Sequence, residues 1–172
     1  VGDGMVMLAN DATESVVKQF QLAQQVVKDN LTGLGNKLAM EQKVDKLLKL
    51  QDEFSIIVLG VDRFREVNQV HGYAMGDMVL LELASGLQSA TVGGETVYRV
   101  SGDEFAVIRE GEPQGAAERA MALIEAIKKP VVLTGSRIVL GASAGTAVSP
   151  RDGDTHELLL RRAGLASKEA KT

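Results

Sequence analysis

Cysteine is absent from this chain of 172 residues, which excludes disulfide bonds and thiolate metal sites and favours a reducing compartment. The chain also lacks any apolar run near the roughly 20 residues that a membrane-spanning helix needs. Basic residues are not in excess, because the formal net charge is −4, and this argues against sequence-independent binding to nucleic acid. We therefore expect a cytoplasmic chain with neither a nucleic-acid partner nor a membrane segment.

The remaining composition is that of a folded globular domain. Hydrophobic residues make up 45% of the chain and charged residues 24%, which is ordinary for a protein with a buried core. The chain opens with VGDGMVML, without a starting methionine or a basic segment. We interpret it as a fragment of a longer protein.

The first thirty residues differ from the rest. MVMLANDATE (5–14) has the pattern of a short strand followed by a helix N-cap. Apolar residues then recur at spacings of three and four over 14–29, which predicts an amphipathic linker helix. Such a helix needs a partner, and a coiled coil with its own copy in a homodimer is one possibility. We expect a domain end at 1–13, this linker helix, and one domain over 30–172.

The domain has alternating helix and strand patterns. FSIIVLGV (54–61) is a continuous apolar run typical of a buried central strand. The other predicted elements are helices at 37–50, within 63–77, at 78–88, at 114–129 and from 154 onward, with hairpins over 96–110 and over 131–148, the latter turning at Gly135 and Ser136. Hairpins mixed with crossover helices predict an α+β fold whose mixed, mainly antiparallel central sheet is flanked by helices.

Two groups of polar residues could bind a nucleotide. Asp62 ends the central strand, and Asp103 and Glu104 lie at the tip of the first hairpin, so their carboxylates could hold Mg²⁺ against phosphates if the two strands are neighbours. Asn68 and Asp77 could together read a guanine edge. Alternatively, the acids are solvated turn residues and Asp77 is a helix N-cap.

The order of four motifs carries a resemblance to a known family. DNLTGLGN (29–36), VDRFREVN (61–68), GD (76–77) and RVSGDEF (99–105) resemble the GGDEF domain, the diguanylate cyclase family. VSPRDGDTHELLLRRA (148–163) and ASKEAK (166–171) are similar to its C-terminal segment. The family fold is of the nucleotidyl cyclase type with a ferredoxin-like core. MVMLANDATE resembles the last strand of a PAS sensor domain, which suggests a PAS-GGDEF-EAL signalling protein.

The resemblance implies a role for each candidate residue. Family members condense two GTP molecules into cyclic di-GMP, with one GTP on each subunit of a face-to-face dimer. By this resemblance the nucleotide-binding residues are Asn68 and Asp77 for guanine, with Arg63, Phe64, Asp62, Gly102 and Lys171 around the phosphates. The Mg²⁺ ligands would be Asp103 and the carbonyl of Val61. In an active member, Asp103 and Glu104 would be catalytic, with Glu104 assisting deprotonation of the attacking 3′-hydroxyl.

The chain departs from the family pattern at important positions. Gly60 replaces the first Asp of the Asp-x-Asp pattern, a principal metal ligand, and Asp62 lies two strand residues away, about 6–7 Å. Ser101 replaces the first glycine of the signature, which would be costly if that residue needs a positive φ. The family's inhibitory product site, R-x-x-D, falls on Val92 and Glu95 and is therefore absent.

Three hypotheses follow for function. The first is a degenerate, catalytically inactive GGDEF domain that binds GTP, with a weakened Mg²⁺ site, and regulates a linked EAL phosphodiesterase domain. The second is a weakly active diguanylate cyclase, because GDEF and Asp62 remain. The third is a dimerisation scaffold that binds no nucleotide and uses the helix at 14–29.

Overall fold

The computed structural model describes residues 15–19 and 26–171. The strand predicted at the PAS-like end, 1–13, lies outside the described residues. Residues 15–19 are helical, but helical conformation ends at Val26 rather than at residue 29. Lys28, within the predicted linker segment, instead forms a β-bridge with Gly35, and the bounds of 14–29 stay a prediction.

The predicted alternation of helices and strands is observed from residue 37 onward. The elements are α1 (Lys37–Leu50), β1 (Phe54–Val61), α2 (Phe64–His71), α3 (Tyr73–Ala90), β2 (Glu95–Ser101), β3 (Glu104–Glu110), α4 (Ala116–Lys128), β4 (Val131–Leu133), β5 (Ser136–Ile138), β6 (Ala142–Ser149) and α5 (His156–Lys171). Among the described residues, no helix is both long and apolar enough to cross a membrane.

The main sheet has the strand order β2-β3-β1-β6, and its strand pairs are antiparallel. Strand β1 is buried at every residue, as its uninterrupted apolar sequence predicts. Near its end, Gly60 pairs with Glu104 on β3 and with Ser143 on β6. The α+β fold with an antiparallel sheet flanked by helices is thus confirmed.

Each face of the sheet is covered by its own helices, because successive strand residues point to opposite faces. One face packs against α2, α3, α4 and the β4–β5 hairpin, with Leu59 and Phe105 at its centre. The other face packs against α1 and α5, and Ile56, Leu47 and Leu159 are fully buried there or nearly so. The result is a three-layer domain with helices on both faces of the sheet.

Helix α3 begins earlier than predicted. It starts at Tyr73, immediately after Gly72, whose φ of 87° turns the chain between α2 and α3. Gly76 and Asp77 therefore lie inside the helix, and the alternative in which Asp77 caps its N-terminus is wrong. Gly76 was interpreted as part of a turn because glycine is unfavourable in helices, but close packing requires it here.

The second hairpin is shorter than predicted. Strands β4 and β5 form a separate two-stranded hairpin whose turn is Thr134 and Gly135. Residues 139–141 are not in a strand, and β6 then joins the main sheet beside β1. The strand-like sequence pattern continues from β5 into β6, so their division into two strands of different sheets follows only from the pairing of β6 with β1.

Candidate functional site

A cleft of about 800 Å³ opens between α2, the start of α3 and the turn that joins β2 to β3. Its volume is within the range of small-molecule sites. The predicted residues that line it are Phe64, Asn68, Asp77, Gly102 and Asp103, and the structure adds Arg65, Gln69, Tyr73, Leu80 and Arg99. Residues up to 39 positions apart in the sequence are thus brought to one cleft.

Asn68 packs against α3 at Gly76. Its half-buried amide oxygen lies against the α-carbon of Gly76, where a β-carbon would overlap it. Asp77, the next residue, is exposed on the cleft side. An amide and a carboxylate on facing helices offer the donor and acceptors that suit the edge of a purine base.

The N-terminus of α2 forms the wall of the cleft nearest β1. Arg63 has a left-handed conformation with φ 60°, and no described side chain caps this helix. The first N–H groups of α2 are therefore open to an anion. The guanidinium group of Arg63 itself is exposed and pairs with Glu66 at 3.1 Å.

Asp62 lies in a neighbouring depression, which Arg63, His71, Arg137 and Gly141 also line. Its carboxylate accepts a hydrogen bond of 2.9 Å from the hydroxyl of Ser143, and its N–H donates to the carbonyl of Gly141. Asp62 therefore joins the end of β1 to the start of β6.

Arg99 connects the loop before α1 to the signature turn. Its guanidinium group donates to both carboxylate oxygens of Asp29 at 3.1 Å and to the carbonyl of Gly102 at 2.9 Å. Burial raises the pKa of Asp29, but hydrogen bonds from Thr32 and Arg99 outweigh it and hold that pKa below its ordinary value. Sequence reasoning did not assign Arg99 a role, because its partner is 70 residues away.

Glu104 begins β3, whereas Asp103 lies in the turn before it and lines the cleft. Glu104 lines a depression between α1 and α5 together with Lys37 and His156. Burial raises the pKa of Glu104, and the charge of Asp103 raises it further, while Lys168, Lys171 and Lys37 lower it less. The two acids of the signature thus serve different surfaces.

The ammonium group of Lys171 lies over Gly60. A β-carbon built on Gly60 would be 2.9 Å from Nζ of Lys171 and 3.7 Å from Oγ of Ser167. The position that resemblance assigns to a metal-binding carboxylate is therefore beside a cation. No cluster of three or more possible metal ligands occurs among the residues that the structure describes. These residues do not fit the Mg²⁺ site that the resemblance implies.

Comparison with known proteins decides the family. The model of the family described as diguanylate cyclase, GGDEF domain, matches residues 26–172. The chain belongs to the GGDEF domain family. The family predicted from the order of the motifs is therefore confirmed.

Individual GGDEF proteins resemble the chain over most of its length. An uncharacterized signalling protein of Caulobacter vibrioides is 33% identical over 98% of the chain and 22% of its own length. The bifunctional diguanylate cyclase/cyclic di-GMP phosphodiesterase MucR of Pseudomonas aeruginosa is 31% identical over 93% of the chain and 24% of its own length. The chain thus spans less than a quarter of these two relatives.

A solved structure confirms the fold class. The crystal structure of a sensory box/GGDEF family protein from Caulobacter crescentus is 36% identical, with a TM-score of 0.75, and the match covers 84% of this chain and 97% of that one. The nucleotidyl cyclase-like architecture predicted for the chain is therefore that of a GGDEF domain.

Ser101, in the GGDEF signature, is not strained. It is exposed, and it is not among the described residues other than glycine with a positive φ, which are Gln51, Arg63 and Thr134. Replacement of the first signature glycine by serine therefore carries no backbone cost of the kind considered from the sequence.

Proposed function

We propose that this GGDEF domain binds GTP without converting it to cyclic di-GMP and that it regulates a linked phosphodiesterase. The observation that carries the proposal is the pair formed by Gly60 and Lys171. Charge placed to stabilise the reacting groups is usually a large contribution to catalysis. Here the β1 position paired with Glu104 has no carboxylate, and an ammonium group lies over it.

The guanine end of the cleft supports binding. Asn68, packed against Gly76, and Asp77 would hold the base, and the uncapped N-terminus of α2 at Arg63 and Phe64 would contact the phosphates. Gly102 leaves the signature turn open, because nothing lies within 4 Å of the place where its β-carbon would be. We assign Asp62 to the joint between β1 and β6 rather than to the nucleotide.

Magnesium contributes little in this proposal. An ion at the end of β1 would keep Asp103 and the carbonyl of Val61 as ligands from the protein, which is the weakened site predicted from the sequence. Mg²⁺ prefers six oxygen ligands in near-octahedral geometry. With the carboxylate of residue 60 missing, most of those oxygens would have to come from water and the nucleotide.

The proposed partners lie in the same polypeptide. MucR carries a phosphodiesterase activity in its name, and so does the cyclic di-GMP phosphodiesterase NbdA, which is 30% identical over 87% of the chain. We propose that a PAS domain precedes residue 14, that an EAL domain follows the GGDEF domain of 30–172, and that 14–29 mediates a homodimer. Cytoplasmic localisation stays a prediction.

Titration with GTP tests this function directly. We expect isothermal calorimetry to detect GTP binding to the intact domain, and chromatography after incubation with GTP and Mg²⁺ to detect no cyclic di-GMP. ATP is the matched control ligand and should bind less tightly. Sustained formation of cyclic di-GMP would favour the weakly active cyclase instead, and the absence of binding heat would favour the nucleotide-free scaffold.

Asn68→Ala tests whether the cleft reads guanine. A bidentate contact to a base is worth about 1–3 kcal/mol, so we expect GTP affinity to fall about tenfold or more. ATP affinity should change less, because adenine lacks the guanine edge. Gln69→Ala is the matched control, since Gln69 is a neighbouring amide on α2 that lines the same cleft. Equal losses for GTP and ATP would contradict guanine recognition by Asn68.

A further inference from the structure

The position of Lys171 is set by the packing of α5 on the sheet. Gly145 on β6 approaches the backbone of α5 so closely that a β-carbon there would overlap the carbonyl of Ala163 and the N–H of Ser167. Ser167 is buried, and its hydroxyl donates to the carbonyl of Ser143 at 3.2 Å. These contacts fix both the height and the rotation of α5 over β6.

The rise per residue of α5 and of β6 then places Lys171 over Gly60. Ala163, Ser167 and Lys171 are four residues apart and share one face of α5. Four helical residues rise about 6 Å, and two strand residues rise about 6.6 Å, so one helical step matches the step from Gly145 to Ser143. Ser143 is paired with Gly60, and the end of α5 therefore lies over that pair.

Gly60 is what leaves room for the ammonium group. A β-carbon at residue 60 would be 2.9 Å from Nζ and 3.1 Å from Cε of Lys171. Both distances are shorter than ordinary van der Waals contact. A carboxylate at residue 60 would push the lysine aside or neutralise it in an ion pair, so Gly60 and Lys171 form a complementary pair.

The charges near this pair include three lysines besides the carboxylates of Glu104 and Asp103. Lys37 at the start of α1 and Lys168, one turn before Lys171 on α5, also act on Glu104 electrostatically. Glu104 is the residue paired with Gly60 on β3. Lys37, Lys168 and Lys171 thus add positive charge from two helices near Glu104, beside the end of β1. The proposed phosphate contacts at Arg63 and Phe64 follow β1 directly in the chain.

We propose that the ammonium group of Lys171 takes the place of the divalent cation, so that this domain binds guanosine triphosphate independently of Mg²⁺. The proposal rests on the GTP binding proposed above. Lys171 supplies positive charge at the end of β1. If residue 60 were a carboxylate, a bound metal ion would supply that charge instead. Gly60 is therefore a specificity-determining residue for the metal-free nucleotide.

The test is calorimetric titration of GTP into the intact chain, once with excess MgCl₂ and once with EDTA. We expect the two dissociation constants to agree within about threefold. Lys171→Gln should weaken binding in EDTA by about tenfold or more. Gly60→Asp should make binding depend on the metal, with GTP bound about tenfold more tightly in MgCl₂ than in EDTA.

Controls separate this inference from the proposed function. Lys129→Gln removes one exposed charge at the end of α4 and should leave both constants unchanged. Because Lys171 is exposed, its substitution should leave thermal unfolding unchanged. The comparison of MgCl₂ with EDTA uses the wild type and therefore does not depend on the stability of any variant. The inference would be overturned if the wild type bound GTP in MgCl₂ but not in EDTA. It would also be overturned if Lys171→Gln bound GTP in EDTA as tightly as the wild type does. Absence of GTP binding under both conditions would instead refute the proposed function.

Discussion

Glu95→Ala is expected to lower the free energy of unfolding by about 3–5 kcal/mol, the usual cost of breaking a buried ion pair by removing one partner. The side chain of Glu95 is 1% exposed, and its carboxylate accepts from Arg119 at 2.8 and 2.9 Å and from Arg109 at 3.1 Å. Without Glu95, both guanidinium groups lose their carboxylate. Urea denaturation followed by circular dichroism measures the change.

Two further variants serve as controls for Glu95→Ala, one that removes an exposed charge elsewhere and one that keeps the shape of the Glu95 side chain. Glu112→Ala removes an exposed carboxylate and should change stability by less than about 0.5 kcal/mol. Glu95→Gln keeps the shape of the side chain, and it provides a folded variant if the alanine variant does not fold. A loss below about 1 kcal/mol for both Glu95 variants would contradict a structural role.

The dependence of the free energy of unfolding on pH, measured at acidic pH, gives a second test of Glu95. Burial raises its pKa, but hydrogen bonds from Arg119, the N–H of Val92 and Arg109 outweigh burial and hold the pKa below its ordinary value. A lowered pKa contributes stability that is present above the unfolded-state pKa and is lost as pH falls through the folded-state pKa. We therefore expect the Glu95→Gln variant to lose less stability than the wild type on acidification.

Gly145→Ala is expected to destabilise the domain by about 3 kcal/mol, at the upper end for overpacking. The added methyl group would meet the backbone of α5 at Ala163 and Ser167, and backbone cannot move aside as a flexible side chain can. For a domain of this size, the melting temperature should fall by roughly 6–12 °C. Differential scanning calorimetry measures the change.

The same substitution at a glycine of α5 with open space around it is the matched control. Gly164 lies within α5, and nothing is within 4 Å of its would-be β-carbon. Gly164→Ala should therefore stabilise the domain by about 0.5–1 kcal/mol, because alanine is the better helix former. If both alanine variants were stabilised, α5 would not pack on β6 as described.

Much of the fold was predictable because local patterns and tertiary structure agree. The uniform apolar run of 54–61 indicated a central strand, and every residue of it is buried. The start of α3 was missed because Gly76 resembles a turn residue until the amide of Asn68 is seen against it. The strand 142–149 was missed as a separate element because its partner, β1, lies far away in the sequence.

The candidate site was predictable in part, because several of its residues belong to motifs that are local in the sequence. Motif order placed Asn68, Asp77 and Asp103 in one nucleotide site, and the structure brings all three to one cleft. The neighbouring position of Asp62 depended on its hydrogen bond to Ser143, 81 residues away. The contact of Arg99 with Asp29 is equally long-range, and neither contact leaves a periodic signal in the sequence.

By itself, the sequence determined the family and the order of the elements, because motifs and hydrophobic periodicity are local properties. Tertiary structure alone decided which side chain lies beside Gly60. Lys171 reaches Gly60 because Gly145 and Ser167 hold α5 at one height over β6. That height is a matter of packing between distant segments, and so only the folded chain places Lys171 beside Gly60.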